Sequence, residues 1–180
     1  MFLTVDHDTR WSTIRIDRHL KTMRLTVYTD YALRVLIYTA LKRPEVATIN
    51  EIAQSYRISR NHLMKVVHHL GILGYLETVR GKGGGIRLAK APSKINLAEV
   101  IRKTEEDLAL VECFQLGPPR CCIQSECVLR AALQTALDAF LKVLNRYTLS
   151  HLIRPNRALR ELLAMPHSDQ AHHSQRDSRG

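Results

Sequence analysis

The sequence predicts a mainly α-helical fold: a winged helix-turn-helix with a small β-hairpin wing, followed by a long C-terminal dimerisation helix. Three observations predict it. Three short amphipathic segments follow one another between residues 30 and 70, a glycine-rich turn flanked by strand-forming residues comes next, and one apolar stripe then runs from Leu129 to Leu144. Apolar residues three and four apart share a helix face, whereas those of a strand alternate, so spacing separates the two kinds of element.

Residues 1–22 are polar and hold no sustained period, and Met23 opens a segment that leads straight into the first helix. Met23 is therefore read as the natural start, with 1–22 a disordered upstream extension; the other reading is a basic arm. From Asp30 to Leu41, the residues Ala32, Leu33, Leu36, Ile37, Ala40 and Leu41 keep helical spacing, and Pro44 closes the segment. Thr48 with Glu51 forms a capping-box pattern ahead of Ile49, Ile52, Ala53 and Tyr56, which starts a second helix. Ser59 is placed to cap a third, whose Leu63, Val66, Val67 and Leu70 follow the i, i+3, i+4, i+7 rule. Gly74 ends it. Tyr75 to Arg80 reads as a strand, Gly81 to Gly85 as a turn, and Ile86-Arg87-Leu88 as the returning strand of the wing. Asn96 and Glu99 cap a fourth helix that buries Leu97, Val100 and Ile101.

A loop with Gly117-Pro118-Pro119 at its middle precedes the most regular helix, where Leu129, Ala132, Leu133, Ala136, Leu137, Phe140, Leu141 and Leu144 hold one stripe. Such a stripe needs a partner, and Ala132 and Ala136 allow close approach of a second helix, so it is read as a dimer helix; packing on its own domain is the alternative. A smaller helix is expected over 155–165, carrying Leu159, Leu162 and Leu163. The organisation expected is a winged-helix unit over 23–104, a cysteine loop over 105–127, dimerisation and terminal helices over 128–165, and a disordered polar tail over 166–180.

Lys and Arg number 27 against 17 Asp and Glu, for a formal charge of +10, which favours polyanionic partners. No stretch approaches the roughly 20 apolar residues of a membrane span, and the first residues lack a signal-peptide core, so a cytoplasmic protein with no membrane partner is expected. An enzyme is not expected, since no phosphate-binding strand-loop-helix unit and no nucleophile-base pair with supporting context is found. The face of the third helix opposite its apolar stripe carries Arg60, Asn61, Met64, Lys65 and His68. Arg pairs bidentately with guanine and Asn with adenine, so Arg60 and Asn61 suit base edges in a major groove, and Lys65 suits a phosphate. In the wing, Arg80, Lys82 and Arg87 flank Gly83 and Gly84, whose missing side chains let backbone approach phosphates or the minor groove. Helices, wing and charge together point to double-stranded operator DNA.

All four cysteines, Cys113, Cys121, Cys122 and Cys127, lie between residues 113 and 127. A disulfide scaffold distributes its cysteines, so in a reducing compartment this cluster reads as metal binding or redox chemistry. Seven residues separate Cys113 from Cys121 and five separate Cys121 from Cys127, wider than the two to four usual between paired ligands of structural zinc. A larger object such as an iron–sulfur cluster suits that spacing. Cys121 and Cys122 are adjacent and their side chains diverge, which leaves three thiolates and a vacant fourth position. Structural zinc, reversible thiol oxidation and reduced structural thiols stay open on the residues alone.

Several stretches together resemble a known family, the iron–sulfur winged-helix transcription regulators of the NsrR/IscR type. They are Leu25-Thr26 with Thr29-Asp30-Tyr31-Ala32-Leu33-Arg34, Ser59-Arg60-Asn61-His62-Leu63, Arg80-Gly81-Lys82 with Gly84-Gly85-Ile86-Arg87-Leu88, and the cysteine triplet. The resemblance runs from Met23 to about Met165. Tyr147-Thr148-Leu149, and Arg130 where IscR-like proteins have a histidine ligand, bring it nearer to the nitric-oxide-sensing NsrR branch. It implies a homodimer with crossing long helices, and a cluster, 4Fe–4S favoured over 2Fe–2S, held by Cys113, Cys121 and Cys127 with Asp30 of the partner subunit. Cys122 is an extra thiol that can replace Cys121, and a helix cap or dipole partner is the plainer role for Asp30. By the same resemblance the expected function is repression relieved by nitric oxide, with a sensor of iron or cluster supply, or a zinc-bearing DNA-binding module, as alternatives.

Overall fold

The computed structural model describes residues 3–5, 11–13, 24–115, 117, 121–154 and 156–163. A short antiparallel hairpin pairs β1 (Leu3–Val5) with β2 (Trp11–Thr13). The expectations for the rest of 1–22 and for 166–180 lie outside the described residues.

The central helix, α1 (Val27–Leu41), begins three residues before the apolar spacing places it. Its cap is Thr26, whose hydroxyl accepts the Thr29 N–H at 3.2 Å, so the capping role considered for Asp30 belongs to Thr26. Asp30 sits in the first turn, where a carboxylate complements the helix dipole, and pairs with Arg34 four residues on at 2.7 Å. Ala32, Val35, Leu36, Thr39 and Ala40 are buried, and α1 runs through the middle of the core.

The capping box of α2 (Ile49–Tyr56) is present as read: Thr48 N–H donates to the Glu51 carboxylate at 2.7 Å, and Thr48 Oγ1 accepts Glu51 N–H at 3.2 Å. Burial pushes the Glu51 carboxyl up, but hydrogen bonds from Lys42 and Thr48 and the lysine charge outweigh it and hold the group below its ordinary range. The helix-turn-helix corner is made by Arg57, which caps α2 in the left-handed conformation at φ +55° and sends the chain to buried Ile58. α3 (Arg60–Ile72) buries Leu63, Val66, Val67 and Leu70 as its spacing requires. Ser59 occupies its cap position but makes no side-chain capping bond.

The wing pairs β3 (Leu76–Val79) with β4 (Gly85–Leu88) antiparallel, Leu76 opposite Leu88 and Glu77 opposite Arg87. Its inward side is Leu76, Ile86 and Leu88. β3 is one residue shorter at each end than the expected Tyr75–Arg80, with Tyr75 turned fully into the core, and β4 takes in Gly85, which the sequence reading gave to the turn. A bridge between Ala47 and Ile86 ties the wing to the α1–α2 connection, with N–H to carbonyl distances of 2.9 and 2.7 Å. Only glycine fits beside it: a Cβ on Gly85 would lie 2.5 Å from the Ala47 carbonyl oxygen.

α4 (Leu97–Thr104) is capped by Asn96, which accepts the Glu99 N–H, and buries Leu97, Val100 and Ile101 as read. α5 (Val128–Leu144) is the long helix. Within one chain its stripe is buried at Leu137 and Leu141 and half-buried at Leu133 and Leu144, while Leu129 is 65% exposed and, beside the stripe, Val128 is 82% and Val143 51% exposed. A four-residue helix that spacing does not announce, α6 (Leu149–Leu152), returns the chain: Leu149 is fully buried and its N–H donates to the Ile95 carbonyl at 2.9 Å. α7 (Asn156–Leu162) lies within the expected 155–165, of which residues 155, 164 and 165 fall outside the described residues. Leu163 is buried behind it, its carbonyl accepting the Ser55 hydroxyl at 3.1 Å, and Arg160 donates to the Leu41 carbonyl. Among the described residues no helix is long and apolar enough to cross a membrane.

The corner at Arg57 gives a direct stability test. A side chain in the left-handed region carries a steric cost of about 1–2 kcal/mol that glycine avoids, offset in part by glycine's greater chain entropy. Arg57→Gly is expected to raise stability by about 1 kcal/mol, seen as a thermal midpoint roughly 2–4 °C higher. An unchanged or lowered midpoint would show that the corner is not strained.

Candidate nucleic-acid interface and thiol loop

The buried row of α3 faces α1 and α2, so its opposite face is left outward, and Arg60, Asn61, Met64, Lys65 and His68 are all exposed there. Exposure with two cationic groups and an amide on one face fits groove contact. The wing tip presents Arg80, just before Gly81, and Lys82, between Gly81 and Gly83, the two glycines taking φ of +99° and +76°. Two of the wing residues expected at the interface are engaged inside the wing itself. Arg87 pairs across the strands with Glu77 at 2.6 Å, so any phosphate contact it makes competes with that carboxylate. Gly84 donates its N–H to the Gly81 carbonyl at 2.9 Å, and a Cβ there would lie 2.4 Å from the Val79 oxygen. Its glycine is thus required by the turn's own closure, and Gly83 keeps the open side.

The thiol loop leaves α4 at a firm anchor. Glu105 accepts both the backbone N–H of Thr26 at 2.9 Å and its hydroxyl at 3.1 Å, a carboxylate set at the N-terminus of α1. Cys113 then lies in a single turn of 3-10 helix, Glu112–Phe114, and is partly buried. Cys121 and Cys122 are exposed, and Cys127 caps α5, its Sγ accepting the Arg130 N–H at 3.4 Å. The Arg130 guanidinium stacks over the Phe114 ring, 5.8 Å from its centroid, and so fastens the Cys113 turn to the head of α5. This residue acts as a clasp.

All four cysteines are free thiols. Among the described residues no three His, Cys, Asp or Glu side chains gather as a metal site, so the structure does not bring Cys113, Cys121, Cys127 and Asp30 together within one chain. Asp30 stays beside Arg34, whose guanidinium also lies 5.7 Å from the Tyr56 ring centroid. Tyr56 is pushed up to about 12, chiefly by burial. The donor set itself suits iron–sulfur chemistry: several soft thiols lie on one surface loop, and one of them already accepts an N–H, as ligating sulfur commonly does.

Sequence reading missed the contacts made by aromatic groups: Phe114 with Arg130, Tyr56 with Arg34, and Tyr28 and Tyr31 with histidines of α3. Tyr28 and Tyr31, three apart at a helix start, were the one signal available for the last of these.

A family model described as Rrf2, iron-dependent transcriptional regulator, matches residues 25–155. The chain is 52% identical over 144 residues to the HTH-type transcriptional regulator NsrR of Bacillus subtilis, covering 79% of this chain and 99% of that protein. The solved structure of CymR, the global cysteine regulator of B. subtilis, is similar at a TM-score of 0.58 and 26% identity, over 72% of this chain and 95% of that one. IscR of T. potens shares the fold at a TM-score of 0.62 and 19% identity, over 77% and 91% of the two chains. The chain belongs to the Rrf2 family, whose members are DNA-binding winged-helix transcription regulators and not enzymes.

Proposed function

We propose that this regulator is a nitric-oxide-sensitive repressor that binds operator DNA as a homodimer. Cys113, Cys121 and Cys127 of one chain, with Asp30 of the partner subunit, hold an iron–sulfur cluster, 4Fe–4S in preference to 2Fe–2S. The observation that carries this reading is where the thiol loop is fastened: Glu105 ties its start to the first residue of the α1 cap, and Cys127 ends it as the cap of α5. Ligation by these thiols therefore bears on both the reading head and the helix left uncovered for a second chain.

A cluster bound there would supply iron reactive toward nitric oxide, most readily at a corner with a weak ligand. Asp30 is suited to that corner, as a half-exposed carboxylate near the start of α1. Held by a cluster on the other chain, it would fix α1 across the dimer; otherwise it pairs with Arg34, which would leave the two reading heads free to change separation. Val128, Leu129, Phe140 and Val143 supply the apolar surface for the second chain. A dimer presents two α3 helices to half-sites about one helical turn of DNA apart, or a multiple of it. A sensor of iron supply is the second reading, favoured by the iron dependence in the family's description. The separating observation is whether iron depletion without nitric oxide relieves repression to the same extent.

Two outcomes follow. Arg60→Ala is expected to cost about 1–3 kcal/mol of operator affinity and relax specificity at one base position, whereas Lys65→Ala weakens all sequences alike and lowers the salt slope by about one. Equal loss on every sequence for Arg60→Ala would remove it from base reading. In anaerobic protein, nitric oxide is expected to lower operator affinity at least tenfold, and Cys121→Ala to abolish that response while Cys122→Ala keeps it. Unchanged binding after nitric oxide would refute the sensor, and the reverse pattern of cysteine variants would make Cys122 the ligand.

A further inference from the structure

Hydrophobic packing holds α3 on α1, but such attraction is non-directional and leaves the helices' mutual register to more specific contacts. Two Tyr–His pairs supply them. Tyr28, in the first turn of α1, bonds to His69 near the end of α3, Oη to Nδ1 at 2.8 Å with ring centroids 5.7 Å apart. Tyr31 lies against His62 in the first turn of α3, with centroids 6.3 Å apart. His62 and His69 stand about two helical turns apart, so one turn of α1 grips α3 near both of its ends. Each gripped histidine directly follows an outward-facing reading residue, Asn61 before His62 and His68 before His69. Any slide or rotation of α3 on α1 re-aims both. Burial pushes the Tyr28 hydroxyl up, so the group keeps its proton.

We propose that Tyr28 and Tyr31 are positioning residues for DNA recognition: they set the pose of α3, Tyr28 through its hydrogen bond to His69, and they pass movement of the first turn of α1 to the reading face. Asp30 lies between them in sequence. The relay half of the proposal rests on the reading of Asp30 as the partner's ligand; the positioning half stands without it.

The test uses the full chain, purified without oxygen, and two duplexes: one that the wild-type protein enriches from a random-sequence library, and an unselected random-sequence duplex of the same length. Tyr28→Phe and His69→Phe keep the rings and remove the bond. Each is expected to reduce discrimination between the duplexes about threefold to tenfold, the span of one net hydrogen bond. The double variant is expected to be no worse than either single one, since both remove the same contact. His69→Gln, which can still bond to the tyrosine hydroxyl, is expected to restore discrimination, and this rescue separates positioning from general loss of structure. Wild-type discrimination in Tyr28→Phe, multiplied losses in the double variant, or a His69→Gln protein no better than His69→Phe would each overturn the positioning role. The relay is read from the ratio of operator affinities with and without the cluster, which Tyr28→Phe should bring toward one. An unaltered ratio in that variant overturns the relay alone. A ratio of one in the wild-type protein overturns the relay together with the sensor reading, and leaves the positioning result to stand on the duplex comparison.

Discussion

A buried pair of hydroxyls is the joint on which the other parts turn. Thr29 Oγ1 donates to Thr104 Oγ1 at 3.0 Å, and Thr104 donates onward to the Val100 carbonyl at 3.0 Å, both threonines being buried. Separating them would leave the Thr29 hydroxyl proton without its acceptor away from water, at a cost of about 1–3 kcal/mol. The start of α1 therefore stays fixed against the end of α4. One residue beyond Thr104, Glu105 closes on the Thr26 cap, so the joint is buried on one side and charged on the other.

From that joint the chain runs to each working surface by a short route. Tyr28 and Tyr31 reach the recognition helix, Asp30 faces outward beside them, and Glu105 begins the loop that holds the thiols. The wing is set from the other end of α1, through the Ala47–Ile86 bridge, and so moves with the same helix. α5 leaves Leu129, Ala132, Ala136 and Phe140 of its apolar stripe exposed in one chain, which is why a second chain enters the proposed function. In the proposed function few parts need to move: one helix would carry the ligand of the neighbouring subunit, while it grips the reading helix and supports the wing.

Local chemistry made much of this legible from sequence. The Thr48–Glu51 box and the Asn96 cap were readable because both partners lie within one turn, and the buried row of α3 because apolar spacing is itself the signal. What escaped depends on residues far apart. Four-residue α6 has too little sequence for a period and exists because Leu149 and Thr148 bridge back to Ile95 and Asn96. The glycines of the wing looked alike, yet Gly81 and Gly83 serve backbone conformation while Gly84 and Gly85 make room for carbonyls. The pairing of Arg87 with Glu77 was not legible, because the partner becomes visible only with the strand register. The start of α1 was placed late because its first turn, Val27 to Asp30, carries no apolar repeat, and its cap is completed by Glu105 from 79 positions away. The cysteines were legible as a group, whereas the clasp of Arg130 on Phe114 was not.

The central claim is that the thiol loop carries an iron–sulfur cluster that fixes α1. Protein purified without oxygen should be assayed for iron, acid-labile sulfide and zinc per chain, alongside an Asp30→Ala variant. Iron and sulfide in matching amounts, with a cluster in the variant that is lost more readily to a chelator, are the result this account predicts. Zinc without sulfide, or a cluster equally stable in both proteins, would contradict it: the first would make the loop a structural metal site, and the second would leave Asp30 to Arg34 alone.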